Sequence, residues 1–298
     1  MIRNLNDIFE KIKDKEKKTI AIACPENEDS IKTIIACREK CIADFIIIGD
    51  KKLIVNLLVD LKQNESEYVI IDVKAHNEAA EKAVQLVLEG KADAVMKGDL
   101  HTSVFMKAVL NKEKGLNANK KMSECTIVEK IHGNGLQCIT DCAMNIDPTL
   151  DDKKQIIENA VDLFIKLGVS KPKVALLSAL ELINPAMPDT LDAAILCKMA
   201  DRGQIKNAIV DGPLALDNIV SLEAAKKKKI DSPVAGDADI IVAPNMTVAN
   251  ALRKAITFYA GKMTTTTLVG AKAPVVMTSR TEPIEGKLLS IAIAVYIS

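Results

Sequence analysis

The stretch TIAIACPENEDSIKTIIACREKCIADFIII (residues 19–48) decides the fold. Its first apolar run, Thr19 to Cys24, is too short for a helix and stops at Pro25. A helical pattern follows, with Ile31, Ile34, Ile35 and Cys37 on one side and Asp29 or Ser30 as the expected cap. A second apolar run, Ala43 to Ile48, ends at Gly49-Asp50. Continuous rather than alternating apolar runs mark strands buried on both faces, and a strand–helix–strand order with short turns implies a parallel pair.

The pattern extends in both directions. Residues 4–16 carry a helical stripe of Leu5, Ile8, Phe9 and Ile12 among charges. Downstream come a helix through Leu58, a strand at 68–71, a helix from Asn77 to Leu88 closed near Gly90, and a strand at 94–96. Two β-like segments lie at 125–128 and 136–139. Near residue 147 the alternation restarts with a long amphipathic helix to Leu167. Strands at 173–178, 208–210 and 239–243 alternate with helices at 191–201, 221–229 and 248–259. Thr264 to Thr267 reads as a linker. The chain then returns through a strand at 274–277 and a final apolar helix. These blocks predict two α/β/α lobes with mostly parallel sheets and a cleft between them. The first spans residues 1–145 plus 273–298, and the second spans residues 146–272.

Composition agrees with that class. Of 298 residues, 48% are hydrophobic and only 3% aromatic, with no Trp, so the core is built from Ile, Val, Leu, Ala and Met. Forty basic residues balance 40 acidic ones, which argues against a nucleic-acid or membrane surface but leaves room for a local anion site. The seven cysteines fit no metal spacing and read as reduced thiols of a cytoplasmic protein. No apolar run is long enough to span a bilayer.

Open α/β sheets bind ligands where strands end and helices begin. After the strand at 94–96, Lys97 and Lys107 offer charge, Thr102 and Ser103 offer hydroxyls, and Gly98 belongs to the same turn of small and polar residues. The alternative is a plain loop with Ser103 as helix cap. Asp211-Gly-Pro and Pro244-Asn245 follow two later strands, the former also a good turn in its own right. Met187 and Met246 suit an acyl pocket, although core packing is the stronger reading of each. The last strand runs into APVVMTSRTEPIEGK (residues 273–287). There Ser279, Arg280 and the N–H groups of the following helix suit an anion. Alternatively, Ser279 or Thr281 caps that helix and Arg280 is a solvated charge.

Read together and in order, several blocks resemble the phosphate acetyl/butyryl transferases, and most closely the butyryl branch. They are Val95–Gly98 (VMKG), Asn111–Leu116 (NKEKGL), Thr140–Asn145 (TDCAMN), Ile183–Pro188 (INPAMP), Ala200–Ile205 (ADRGQI), Val210–Asp217 (VDGPLALD), Ala243–Asn245 (APN) and Thr278–Arg280 (TSR). The resemblance implies a fold like that of isocitrate and isopropylmalate dehydrogenases. It also implies reversible transfer of a short acyl group, butyryl before acetyl, from acyl-CoA to phosphate by direct attack in a ternary complex. No metal or bound cofactor is implied, and homo-oligomers are.

The resemblance gives Ser279 the carbonyl oxygen and Arg280 the phosphate, and it places the second lobe's surface around CoA and the acyl chain. It expects an acid seven residues after the serine, where this chain has Gly286, so neighbouring Glu285 becomes the candidate. Lys107 and Asn117 stand where arginines are expected, and Asp99 and Glu124 add negative charge. Three competitors remain: a degenerate relative that binds CoA with little turnover, which these departures favour; a long-chain acyl-carrier-protein acyltransferase, for which the sequence shows no basic docking patch; and a two-lobed NAD-dependent dehydrogenase. Against the last, no G-x-G-x-x-G opens a helix after a strand.

Overall fold

The computed structural model describes residues 2–278 and 282–298. The chain divides into two compact units. One comprises residues 6–120 and 266–298, the other residues 121–265 with the N-terminal segment up to Leu5.

The first unit opens with α1 (Asn6–Lys13), then β1 (Thr19–Ala23), α2 (Glu28–Glu39), β2 (Asp44–Gly49), α3 (Lys51–Asp60), β3 (Val69–Asp72), α4 (His76–Leu88), β4 (Ala94–Lys97) and α5 (Thr102–Val109). β1 pairs in parallel with β2 on one side and β4 on the other, and β2 pairs with β3. This is the parallel arrangement that residues 19–48 predict. α2 is capped by Asn27, whose side chain accepts from the Ser30 N–H at 2.7 Å, rather than by Asp29 or Ser30. Asn27 has the extended backbone of a cap, while Asp29 and Ser30 already lie in the first helical turn. α5 has no side-chain cap, and Ser103 lies within it.

The second unit begins with a hairpin of β5 (Ser123–Glu129) and β6 (Leu136–Thr140). There follow α6 (Leu150–Lys166), β7 (Lys173–Leu177), α7 (Pro188–Asp201), β8 (Ile209–Leu214), α8 (Leu216–Val220), α9 (Leu222–Lys227), β9 (Ile240–Val242) and α10 (Met246–Lys254). β6, β9, β7 and β8 pair in parallel in that order. α6 starts at a capping box in which Thr149 and Asp152 exchange bonds. β8 runs through Asp211-Gly212-Pro213 instead of turning there. A Cβ at Gly212 would lie 2.7 Å from the Leu176 Cβ, so glycine admits the close approach of β7.

The chain leaves by β10 (Thr264–Val269), antiparallel to β11 (Val275–Val276), which lies parallel to β4. Thr264 to Thr267 is therefore a buried strand and not a linker. A run of β-branched threonines suits an extended, packed backbone, and its polarity conceals that preference. The final helix, α11 (Ile284–Ile297), is buried continuously from Gly286 to Val295 and packs on α1, α2 and β11. Such burial on all sides explains why it shows no amphipathic stripe. Each fully buried Ile or Leu contributes about 1.5–3 kcal/mol relative to exposure.

The unit boundaries fall at 120/121 and 265/266, not at 145/146 and 272/273. The 123–140 hairpin belongs to the second unit because β6 pairs with β9. Residues 266–272 belong to the first because Leu268 pairs with Val275. Among the described residues, no helix is long and apolar enough to cross a membrane, and all seven cysteines are free.

Candidate active site

In the first unit β4 and β11 lie side by side, with Val95 opposite Val275 and Met96 opposite Val276, so Lys97 and Met277 leave the sheet together. Their exits, the start of α2 and the first turns of α11 enclose a small cavity of about 30 Å³. Its polar lining includes Asn27, Asp29, Lys97, Asp99, Thr278 and Lys287. The Lys97 ammonium donates to the Gly98 carbonyl at 3.1 Å. Gly98 is required there by contact: a Cβ would lie 2.3 Å from the Cys24 carbonyl oxygen and 2.6 Å from that of Ala23. Lys287 forms an ion pair with Asp29. Burial pushes the Cys24 thiol up to about 12, helped by the negative charges of Glu26 and Asp99.

Of the residues singled out in sequence, Lys97 and Gly98 line this cavity. Thr102, Ser103 and Lys107 lie on the exposed side of α5 and do not. Ser279, Arg280 and Thr281 lie outside the described residues. They directly follow Thr278, which is part of the lining. Glu285 is exposed in the first turn of α11. A Cβ at Gly286 would come within 2.9 Å of both Cγ and Oε1 of Glu282, so the half-buried Glu282 fills the space a side chain at 286 would need. Asn117 is committed to its own loop, donating to the Leu110 carbonyl at 3.2 Å and accepting from the Asn119 N–H at 2.7 Å. Asp99 does join the cavity, whereas Glu124 is buried in β5 of the second unit. Burial pushes its carboxyl up, against the pull of Arg253.

The second unit holds a larger pocket, about 830 Å³, where β7 and β9 end and α6, α7 and α10 begin. This is the strand-end position at which open α/β sheets take ligands. Pro244 and Asn245 line it, and Asn245 also caps α10 by accepting from the Val248 N–H at 3.0 Å. Leu177, Met187, Leu216, Val248 and Leu252 supply an apolar wall. Asp147, Asp189 and Asp192 supply carboxylates. Among the described residues the only cation in its lining, Lys153, is held by Asp192 at 2.6 Å. Ser178 donates to Asp189. Asp211 is not part of this lining; it accepts from the Gly212 N–H at 2.9 Å within β8. Met246 is not part of it either, so of the two methionines only Met187 reaches the pocket.

Sequence reasoning passed over Lys153, Ser178, Asp189, Asp192, Asp29 and Lys287. Two signals were present. Ser178 ends a strand, and Lys287 is a lone cation in a mostly apolar helix. The others are brought in by helix orientation, which periodicity does not specify.

Comparison with known proteins identifies the family. Residues 54–295 match the family model described as Phosphate acetyl/butaryl transferase. A phosphate butyryltransferase of Clostridium acetobutylicum is 42% identical over 298 residues, covering 100% of this chain and 99% of its own. The crystal structure of a branched-chain phosphotransacylase from Enterococcus faecalis V583 superposes with a TM-score of 0.83 at 32% identity, covering 94% of this chain and 98% of that one. A 4-hydroxythreonine-4-phosphate dehydrogenase from Klebsiella pneumoniae, at 14% identity and a TM-score of 0.58, covers 94% of this chain and 99% of its own and shares the fold alone. With the family model matched over most of its length and relatives aligned end to end, the chain belongs to the phosphate acetyl/butyryl transferase family.

Proposed function

We propose that this chain moves a short acyl group, butyryl in preference to acetyl, between coenzyme A and inorganic phosphate. The observation that carries the reading is the cavity at the ends of β4 and β11. It is lined by Lys97 and Lys287 and by Thr278, which Ser279 and Arg280 follow directly. In the reaction a phosphate oxygen attacks the thioester carbon, and the C–S bond breaks as the tetrahedral intermediate collapses. The proton carried by hydrogen phosphate passes to sulfur, giving acyl phosphate and free thiol. The balance needs acyl-CoA and phosphate only, so no cofactor is invoked.

Arg280 is assigned to phosphate because a guanidinium grips two oxygens at once, and Ser279 to the developing oxyanion as a neutral donor. A carboxylate takes the thiol proton in the reverse direction. Glu285 is the candidate by position, and Glu282 is the one whose side chain lies against Gly286. Because an ordinary thiol has a pKa of about 8.5, this group modulates the rate more than it permits it. The pocket of the second unit suits an uncharged acyl-pantetheine arm, since its apolar wall accepts methylenes and its three aspartates disfavour phosphates. The butyryl preference follows the relatives' chemistry, and each methylene is worth about 1–3 kcal/mol.

We place the protein in the cytoplasm as a homo-oligomer. The reduced thiols favour that compartment. Phe258 and Tyr259, 70% and 96% exposed in an aromatic-poor chain, favour a partner surface. The test of function is product identity. With butyryl-CoA and phosphate the protein should yield an acyl phosphate that hydroxylamine traps as a hydroxamate, faster than with acetyl-CoA. Thiol release without trapped hydroxamate would replace transfer by hydrolysis.

A further inference from the structure

Lys287 is out of place in the helix that carries it. Its neighbours Leu288, Leu289 and Ile291 are core residues, and a buried ammonium at such a position costs stability unless a charge or several acceptors meet it. The Lys287 side chain is 5% exposed, while its partner Asp29 is 63% exposed. The pair is therefore lopsided, with the cation inside and the anion largely in water. Here Asp29 comes from the first turn of α2 and is not that helix's cap, and Lys287 lines the cavity together with Lys97, Asn27, Thr278 and a second carboxylate, Asp99.

The cavity, at about 30 Å³, has room for a water or two and not for a phosphate while Asp29 stays in place. A phosphate oxygen and the Asp29 carboxylate would seek the same ammonium.

The geometry points to Lys287 as a phosphate ligand whose seat Asp29 occupies in the empty protein. The inference rests on the reading above, in which phosphate is the acyl acceptor. It deepens that reading by naming a buried cation, beyond the Ser279-Arg280 pair, that holds the attacking anion. Phosphate entry then exchanges one anion for another on Lys287, so the ammonium is never stranded without a counter-charge. Asp29, already largely hydrated, is released to solvent at little cost.

Isothermal titration with inorganic phosphate alone tests this without requiring turnover. Lys287→Met keeps the length and removes the charge, and it should weaken phosphate binding about tenfold or more, the usual effect of losing a charge-assisted bond. Asp29→Asn should tighten binding severalfold, because the charge paired with Lys287 is gone while Asp99 stays in both proteins. In steady-state assays the same variants should move the KM for phosphate in those opposite directions and leave the KM for acyl-CoA within twofold.

Unchanged phosphate affinity in Lys287→Met would overturn the inference. So would equal weakening in both variants, which is what a purely structural ion pair gives. If Lys287→Met fails to fold, Asp29→Asn decides alone: tighter binding supports the inference, and unchanged or weaker binding overturns it. Wild-type protein that binds phosphate yet forms no acyl phosphate would break the proposed function and leave the ligand assignment standing.

Discussion

The two candidate pockets are opposites. The cavity of the first unit is small, about 30 Å³, and pairs two lysines with two aspartates. The pocket of the second unit is about 830 Å³ and sets three aspartates against one lysine already held by Asp192. Both sit at the carboxyl ends of parallel strands, so the fold supplies the location and the side chains supply the chemistry. The lesson is a division by charge. A compact anion is desolvated best where cations are fixed close together. A long, mostly uncharged arm is held best by an extended apolar wall whose carboxylates exclude the wrong end.

The largest test of that division is Arg280→Ala. It should lower kcat/KM for phosphate by about 10²–10³-fold, as the loss of a group that meets charge in the transition state does, while acyl-CoA still binds. A loss of acyl-CoA binding of the same size would erase the distinction between the two pockets. Next in size is Gly98→Ala. Its Cβ would meet two backbone carbonyl oxygens at 2.3 and 2.6 Å, which cannot retreat as a side chain can. A destabilisation of about 1–3 kcal/mol is expected, read as a lower urea midpoint at unchanged slope.

On the apolar side, Met187→Ala should favour longer chains. The ratio of kcat/KM for hexanoyl-CoA over butyryl-CoA should rise about tenfold, with the phosphate KM unmoved. A shift in the phosphate KM instead would put the anion in the wrong pocket.

The smallest expected effect uses one thiol from each unit. Burial pushes both Cys24 and Cys197 up to about 12, with Glu26 and Asp99 adding to the first and Asp211 and Asp201 to the second. An unfolded thiol loses its proton near 8.5. Between roughly pH 9 and pH 12 the unfolded chain therefore binds fewer protons than the folded one, and stability falls as pH rises. Below that window neither thiol matters. Cys24→Ala should flatten the alkaline loss of stability by up to about 1 kcal/mol per pH unit, and Cys197→Ala should do the same.

Much of this was legible in the sequence. Continuous Ile/Val/Ala runs announce strands buried on both faces, and residues 19–48 alone contain the parallel pairing later found between β1 and β2. What escaped has physical causes. The 264–267 threonines look polar, yet their branched Cβ makes a good buried strand. The 123–140 hairpin is joined to the second unit by the pairing of β6 with β9, a contact between residues about a hundred positions apart that no local pattern reports. In the sites, Lys97, Gly98, Pro244 and Asn245 were readable because strand ends are readable. Asp29 and Lys287 were not, since their meeting depends on how α2 and α11 cross. Lys153 and Asp192 likewise meet only because α6 and α7 pack together.

The most direct test of the account is an initial-rate matrix for thiol release, with butyryl-CoA and phosphate both varied. Direct attack by phosphate predicts no release without phosphate and reciprocal plots that intersect. Release in the absence of phosphate, or parallel lines from an acylated enzyme, would contradict it.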